Sequence, residues 1–197
     1  MTHPPAVTSS RLWLVRHADP LVAPGTCYGM LDVPADAQAT RATAERLSTA
    51  LPPGARVAYS TLQRCELLAH ELQALRPDLT FTPDARLREM DFGRWEGLTW
   101  DAIGKSAIDA WVAGFATHAP GGGESLAHML HRVAAALQTA REWRANQGAK
   151  DVVWITHAGV ARCVAWLQER GESALPRSQD WPVAAPGCGE WEIRELA

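Results

Sequence analysis

The chain has 197 residues, of which 47% are apolar and 21% charged, and its formal net charge is −3. These proportions are close to those of average globular proteins, so they exclude a disordered chain or a fibrous repeat. The charge shows no basic excess, which argues against nucleic acid as a general partner.

The sequence also argues against a membrane partner. No apolar stretch approaches the ~18 residues that span a bilayer, and residues 1–10 lack the positive start and apolar centre of a signal peptide. We therefore expect a cytoplasmic protein with a flexible N-terminus over residues 1–10 and one domain over residues 11–197. The four cysteines form no C-x-x-C pair, which predicts reduced thiols.

Predicted strands and helices alternate along the chain. The predicted strands cover residues 11–16, 56–60, 79–82 and 151–156, and a strand or hairpin is expected within residues 183–194. The predicted helices cover residues 37–51, 62–75 (with Ser60 as N-cap), 124–145 and 160–169, with short helices between residues 100 and 115. This alternation predicts an α/β fold, a three-layer α/β/α sandwich whose mostly parallel sheet has helices on both faces.

Chemically useful side chains follow the ends of several predicted strands. Arg16 and His17 follow the first strand, Arg64 follows the second, and His157 follows the strand over residues 151–156. Glu89 lies in a polar segment after the third strand. Because ligands bind at the carboxyl ends of strands in open α/β sheets, we expect these groups to converge.

Such a cluster suits a phosphoryl group. Guanidinium groups can contact phosphoryl oxygens bidentately, and an imidazole can act as a nucleophile through a covalent intermediate. Two nearby guanidinium groups are expected to disfavour the cationic form of His17 and so keep it nucleophilic.

In these segments the chain resembles the histidine phosphatase superfamily, which includes phosphoglycerate mutases. The strings Cys27-Tyr28-Gly29 and Asp32-Val33-Pro34, with the segment over residues 90–97, are most similar to the α-ribazole phosphatase branch. The resemblance implies a phosphoglycerate mutase-like fold and a phosphomonoesterase that needs no metal or other cofactor. It suggests a small phosphate ester as substrate, with α-ribazole 5′-phosphate of cobalamin synthesis as the candidate.

The resemblance also implies a role for each motif residue. His17 becomes phosphohistidine, Arg16, Arg64 and His157 hold the phosphoryl oxygens, and Glu89 gives a proton to the leaving alcohol. Two other functions stay open, namely phosphoryl transfer of the mutase type and a phosphate-binding module with little catalysis.

Several residues have a competing interpretation. Arg64 could be a solvated residue of the first helical turn, and Glu89 could pair with Arg86 or Arg88 at the surface. Asp91 is the rival acid. His128 and His131 are three residues apart on a helix, but no third metal ligand is evident, so no metal site is expected.

Other positions bear on substrate binding. Glu124 and Ser125 follow three glycines and either contact the substrate at a helix N-terminus or cap that helix. Tyr28 stands where the family commonly has a glutamine that bears on leaving-group recognition. Partly exposed tryptophans, such as Trp181 and Trp191, favour a homodimer.

The first motif departs from the family. The family usually has Arg-His-Gly-Glu-Thr, whereas this chain has Ala18, Asp19 and Pro20 after His17. A glycine lets the backbone approach a ligand closely, and Ala18 adds a methyl group there. Ala23 stands at a common asparagine, and residues 35–36 replace a usual Leu-Thr.

Overall fold

A computed structural model describes residues 10–147 and 150–196, and these residues form a five-stranded sheet. The strands are β1 (Arg11–Arg16), β2 (Arg56–Tyr59), β3 (Thr80–Pro83), β4 (Asp151–Thr156) and β5 (Trp191–Glu195). Their spatial order is β3-β2-β4-β1-β5, and every neighbouring pair is parallel except β1 with β5. Residues 1–9 of the predicted flexible N-terminus lie outside the described residues.

Helices cover both faces of this sheet. They are α1 (Ala37–Ala50), α2 (Gln63–Leu75), α3 (Trp100–Ile103), α4 (Lys105–Ala113), α5 (Leu126–Gln147) and α6 (Ala158–Arg170). Alternate residues of β1 enter two separate cores: Leu12 and Leu14 pack with α5 and α6, whereas Trp13 and Val15 pack with α1 and α2. The predicted three-layer sandwich with a mostly parallel sheet is therefore confirmed.

Some predicted boundaries differ from the structure. Ser60 is not the N-cap of α2, because Leu62 occupies that position and its N–H donates to the Ser60 hydroxyl at 3.3 Å. Helix α5 begins two residues later than predicted, and the Ser125 hydroxyl accepts the N–H of His128 in its first turn at 3.3 Å. Helix α6 begins two residues earlier than predicted, directly after His157.

The expectation of reduced cysteines can be compared with the structure, in which all four cysteines are free thiols. Trp13, Trp154 and Trp166 are buried in the core. Among the described helices, none has both the length and the apolar character required to cross a membrane.

Candidate active site

The register of the sheet brings the two motif histidines together. Arg16 at the end of β1 is paired with Thr156 at the end of β4, so His17 and His157 both follow this pair. Their ring centroids are 5.2 Å apart. Ser60 follows the neighbouring strand β2, and its N–H donates to Ile155 at 2.9 Å. The predicted convergence at the carboxyl edge is therefore present.

A cavity of about 380 Å³ opens at this edge. Its lining includes five of the catalytic, phosphate-binding and substrate-binding residues predicted from the sequence, namely Arg16, His17, Tyr28, Arg64 and Glu89. His157 is 1% exposed and lies against His17 behind the cavity surface.

His17 is held as a neutral imidazole. Its Nδ1 lies 2.7 Å from the carbonyl oxygen of Ala18, which can only accept, so Nδ1 carries the proton and Nε2 keeps its lone pair. The pKa of His17 is lowered from its ordinary 6.5 to about 3, and burial is the largest cause. The hydrogen bond to Ala18 opposes this shift, whereas Arg64 and Arg16 add to it by less than burial does, so the sequence prediction named the smaller cause.

Arg64 is fully buried, which excludes the solvated interpretation. Its Nη1 donates to the carbonyl of Leu31 at 2.9 Å and its Nη2 to that of Gly29 at 2.5 Å. The Tyr28 ring lies 5.6 Å from the guanidinium carbon. The loop over residues 28–31 thus fixes the guanidinium of Arg64 in the cavity wall.

Three buried nitrogens in this cluster lack a hydrogen-bond partner among the described residues. They are Nε of Arg16, Nε of Arg64 and Nδ1 of His157. Leaving a buried donor unpaired costs about 1–3 kcal/mol, so each such group requires an explanation, of which a bound ion is one. Two of the three belong to guanidinium groups, so the cluster is suited to an anion.

Glu89 faces the same cavity in a fixed position. Its Oε2 accepts the backbone N–H of Gly159 at 2.9 Å and its Oε1 that of Met90 at 3.1 Å. The surface ion pair with Arg86 or Arg88 is not formed, because Arg86 binds Asp84 and the guanidinium of Arg88 donates to a threonine hydroxyl.

The rival acid lies elsewhere. Asp91 accepts the N–H of Gly93 at 2.7 Å and lines a separate pocket with Arg132. Arg132 also donates to the carbonyl oxygens of Arg88 and Glu89, at 2.7 and 3.2 Å. The carboxylate of Glu89, rather than that of Asp91, is therefore presented to His17.

Glu124 and Ser125 do not line the His17 cavity. Glu124 forms a two-point ion pair with Arg132 at 2.7 and 2.8 Å, and Ser125 caps the first turn of α5. In the structure both residues therefore contact other parts of the protein, Arg132 and the first turn of α5. Their contact with substrate stays a prediction.

An aromatic wall forms part of the cavity lining, and the sequence analysis did not anticipate it. Its members are Phe92, Trp100, Trp111, Phe115 and Trp181. The Trp100 and Trp111 rings are stacked within 6° of parallel, and Phe92 meets Trp111 edge-on at 5.8 Å. The nine tryptophans of the chain were the available signal, but their irregular spacing does not reveal a shared pocket.

The departures from the family motif contact one another. Pro20 and Ala35 form an antiparallel bridge, and the N–H of Asp36 donates to the carbonyl of Asp19 at 2.8 Å. The altered residues after His17 and after Pro34 are thus joined to one another in the structure.

Residues 12–184 match the histidine phosphatase superfamily, branch 1. The chain belongs to this superfamily. This membership confirms the resemblance to the superfamily that was inferred from the motifs. A separate comparison with curated proteins found no match.

Several solved structures are similar to this chain. A mycobacterial glucosyl-3-phosphoglycerate phosphatase in complex with VO3 is 27% identical, with a TM-score of 0.75 over 94% of this chain and 90% of its own. The same enzyme with inorganic phosphate is 28% identical, with a TM-score of 0.73 over 94% and 89% of the two chains. A protein from Thermus thermophilus is 30% identical, with a TM-score of 0.61 over 93% and 92%.

These neighbours and the superfamily support a phosphatase or phosphoryl-transfer activity. The neighbours whose names state a substrate are glucosyl-3-phosphoglycerate phosphatases, so the α-ribazole branch stays a prediction.

Proposed function

We propose that this histidine phosphatase hydrolyses a small phosphate monoester through a phosphohistidine at His17. One observation carries this proposal: a neutral imidazole with a free Nε2 lone pair lies beside Arg16, Arg64 and His157, each of which has a buried nitrogen without a partner among the described residues.

In the first step, Nε2 of His17 attacks phosphorus. The new N–P bond forms as the P–O bond to the leaving group breaks, and Glu89 donates its proton to the departing oxygen. In the second step, water attacks phosphorus, the Glu89 carboxylate takes a proton from that water, and the N–P bond breaks. The products are an alcohol and inorganic phosphate, and His17 and Glu89 return to their starting states.

The positive charge that stabilises the transferring phosphoryl group comes from the chain itself. Preorganised cationic donors favour charge on the equatorial oxygens without any reorganisation during the reaction. Arg64 is preorganised because two carbonyls hold it, and Arg16 is held by the carbonyl of Pro186 at 3.2 Å. This chemistry requires no metal ion.

For the leaving group we propose α-ribazole, with α-ribazole 5′-phosphate as the substrate. The motif resemblance first suggested it, and the aromatic wall supports it because planar bases stack on aromatic side chains. The molecule that the protein binds is then a small phosphate ester.

Homodimer formation and a cytoplasmic location stay predictions. Trp181 and Trp191, which suggested the homodimer, are partly exposed as expected.

The test measures phosphate release from p-nitrophenyl phosphate in the presence of EDTA. We expect turnover by the native chain, its loss in His17→Ala, and its retention in His131→Ala, which replaces an exposed histidine of α5. A panel of α-ribazole 5′-phosphate, glucosyl-3-phosphoglycerate, 3-phosphoglycerate and sugar phosphates then ranks substrates by kcat/KM.

Two results would contradict the proposal. Faster isomerisation of 3-phosphoglycerate than hydrolysis of any ester would make the chain a mutase. Tight phosphate binding without turnover of any ester in the panel would make it a phosphate-binding module.

A further inference from the structure

Ser60 is a fully buried polar residue that contacts His157. Its hydroxyl oxygen lies 2.8 Å from Nε2 of His157. The backbone N–H of Ser60 donates to the carbonyl of Ile155 at 2.9 Å, so the main chain of Ser60 is held against the end of β4.

The hydroxyl has one partner whose role is fixed. The backbone N–H of Leu62 can only donate, so at 3.3 Å it occupies an acceptor position of the Ser60 oxygen. While its oxygen accepts from Leu62, the Ser60 hydroxyl can direct its own proton toward Nε2 of His157. The Cys65 thiol, 3.5 Å from the same Nε2, is also 3.5 Å from the carbonyl of Thr156, to which it donates.

Whether Nδ1 of His157 carries a proton depends on which group donates in the hydrogen bond between Ser60 and Nε2. A neutral imidazole carries one proton, so a ring that accepts at Nε2 must donate at Nδ1. Burial is the main cause that lowers the pKa of His157 well below 6.5, so the ring is neutral near pH 7. Nδ1 is buried without a partner among the described residues, and the ring lies against that of His17.

The alternative tautomer fits an anion poorly. If Nε2 carried the proton, Nδ1 would present a lone pair to the negatively charged oxygens of a phosphoryl group. An N–H at the same place would donate a charge-assisted hydrogen bond.

We infer that the Ser60 hydroxyl donates to Nε2 of His157 and thereby holds Nδ1 as the N–H that binds a phosphoryl oxygen. Ser60 is thus a positioning residue, which acts on the phosphoryl group through His157. This inference rests on the proposed phosphatase function for the phosphoryl contact, whereas the tautomer itself can be measured in the phosphate-free protein.

The experiment records the ¹⁵N resonances of the histidine rings near pH 7, without ligand and with orthovanadate. We expect the native chain to show His157 protonated at Nδ1 and unprotonated at Nε2. Ser60→Ala is expected to populate the Nε2–H form and to weaken inhibition by vanadate about tenfold, the scale of one lost hydrogen bond. Ser60→Thr, which keeps the hydroxyl, is expected to restore the native tautomer.

Ser10→Ala is the matched control, because Ser10 is also buried next to the sheet but contacts neither histidine. In this variant the tautomer of His157 and the inhibition by vanadate are expected to equal those of the native chain. The His17 resonances report whether the site of each variant is folded.

The inference is overturned if His157 of the native chain is protonated at Nε2, or if folded Ser60→Ala keeps the native tautomer and vanadate affinity. Failure of the proposed function would look different, since the native chain would then release no phosphate from any ester whatever the tautomer.

Discussion

At the residue scale, His17 shows why burial matters more than neighbouring charge in this site. The sequence places two arginines near the histidine, and both do lower its pKa, but loss of solvation has the larger effect. The hydrogen bond to Ala18 then decides which nitrogen keeps the lone pair. Since this bond uses the backbone carbonyl, the replacement of the usual glycine by Ala18 leaves it intact.

Gly159 gives a prediction at this scale. A Cβ at this position would overlap the carboxylate of Glu89, which its N–H now binds. Gly159→Ala is therefore expected to displace Glu89 and to lower kcat/KM about 100-fold, the scale of a misplacement of ~1 Å. Steady-state kinetics with p-nitrophenyl phosphate measure this effect.

The matched control is Gly187→Ala, whose Cβ would make only an ordinary contact with Glu190 at 3.6 Å. Native kinetics in Gly159→Ala would show that Glu89 is not the proton donor in this position.

At the element scale, a carboxylate organises the loop that holds Arg64. Glu96 accepts four backbone N–H groups, those of Gly29, Met30, Leu31 and Phe92, at 2.9–3.0 Å. The carbonyls of the same loop bind Arg64. The loop therefore connects Glu96 to Arg64, the cation that we propose contacts the phosphoryl group.

Glu96→Gln replaces one acceptor oxygen by an amide donor that faces N–H groups. We expect the free energy of unfolding to fall by about 2–4 kcal/mol, since hydrogen bonds to charged groups contribute roughly 1.5–3 kcal/mol each. Urea unfolding measures this loss, and vanadate inhibition is expected to weaken with it. Glu45→Gln, on the exposed face of α1, is the control; equal stability of the two variants would contradict the role of Glu96.

The strands, most helices and the histidine cluster could be predicted because they follow local rules. Apolar runs define strands, and a parallel sheet brings strand ends together. Three of the four Glu96 contacts could not be predicted, because they join its side chain to backbone groups 65–67 residues away. The aromatic wall was missed for a similar reason, since Trp111 and Trp181 share a cavity without sharing an element.

At the scale of the whole molecule, the buried histidines make stability depend on pH. His17 and His157 have lowered pKa values in the folded chain. Between the folded and unfolded pKa values the unfolded chain binds more protons, so the stability that depends on the neutral histidines is fully present above about pH 6.5 and is lost as the pH falls, in the case of His17 down to about pH 3.

Between its unfolded and folded pKa values, each of these histidines is expected to lower the free energy of unfolding by about 1.4 kcal/mol for every unit by which the pH falls. Urea unfolding between pH 7 and about pH 4.5 measures the slope, and carboxylates contribute in all variants alike. His17→Asn is expected to remove the contribution of one histidine, whereas His131→Asn, at an exposed site, keeps the native slope. Identical slopes in His17→Asn and the native chain would contradict a neutral buried His17.

The central claim is the covalent intermediate on His17. A ³²P-labelled ester is mixed with the native chain for less than one turnover, quenched in alkali, which preserves phosphohistidine, and mapped by peptide analysis. We predict that the label lies on the peptide that contains His17, is released by acid, and is absent from His17→Ala. Full turnover of the ester with no label on His17 at any time would contradict the account.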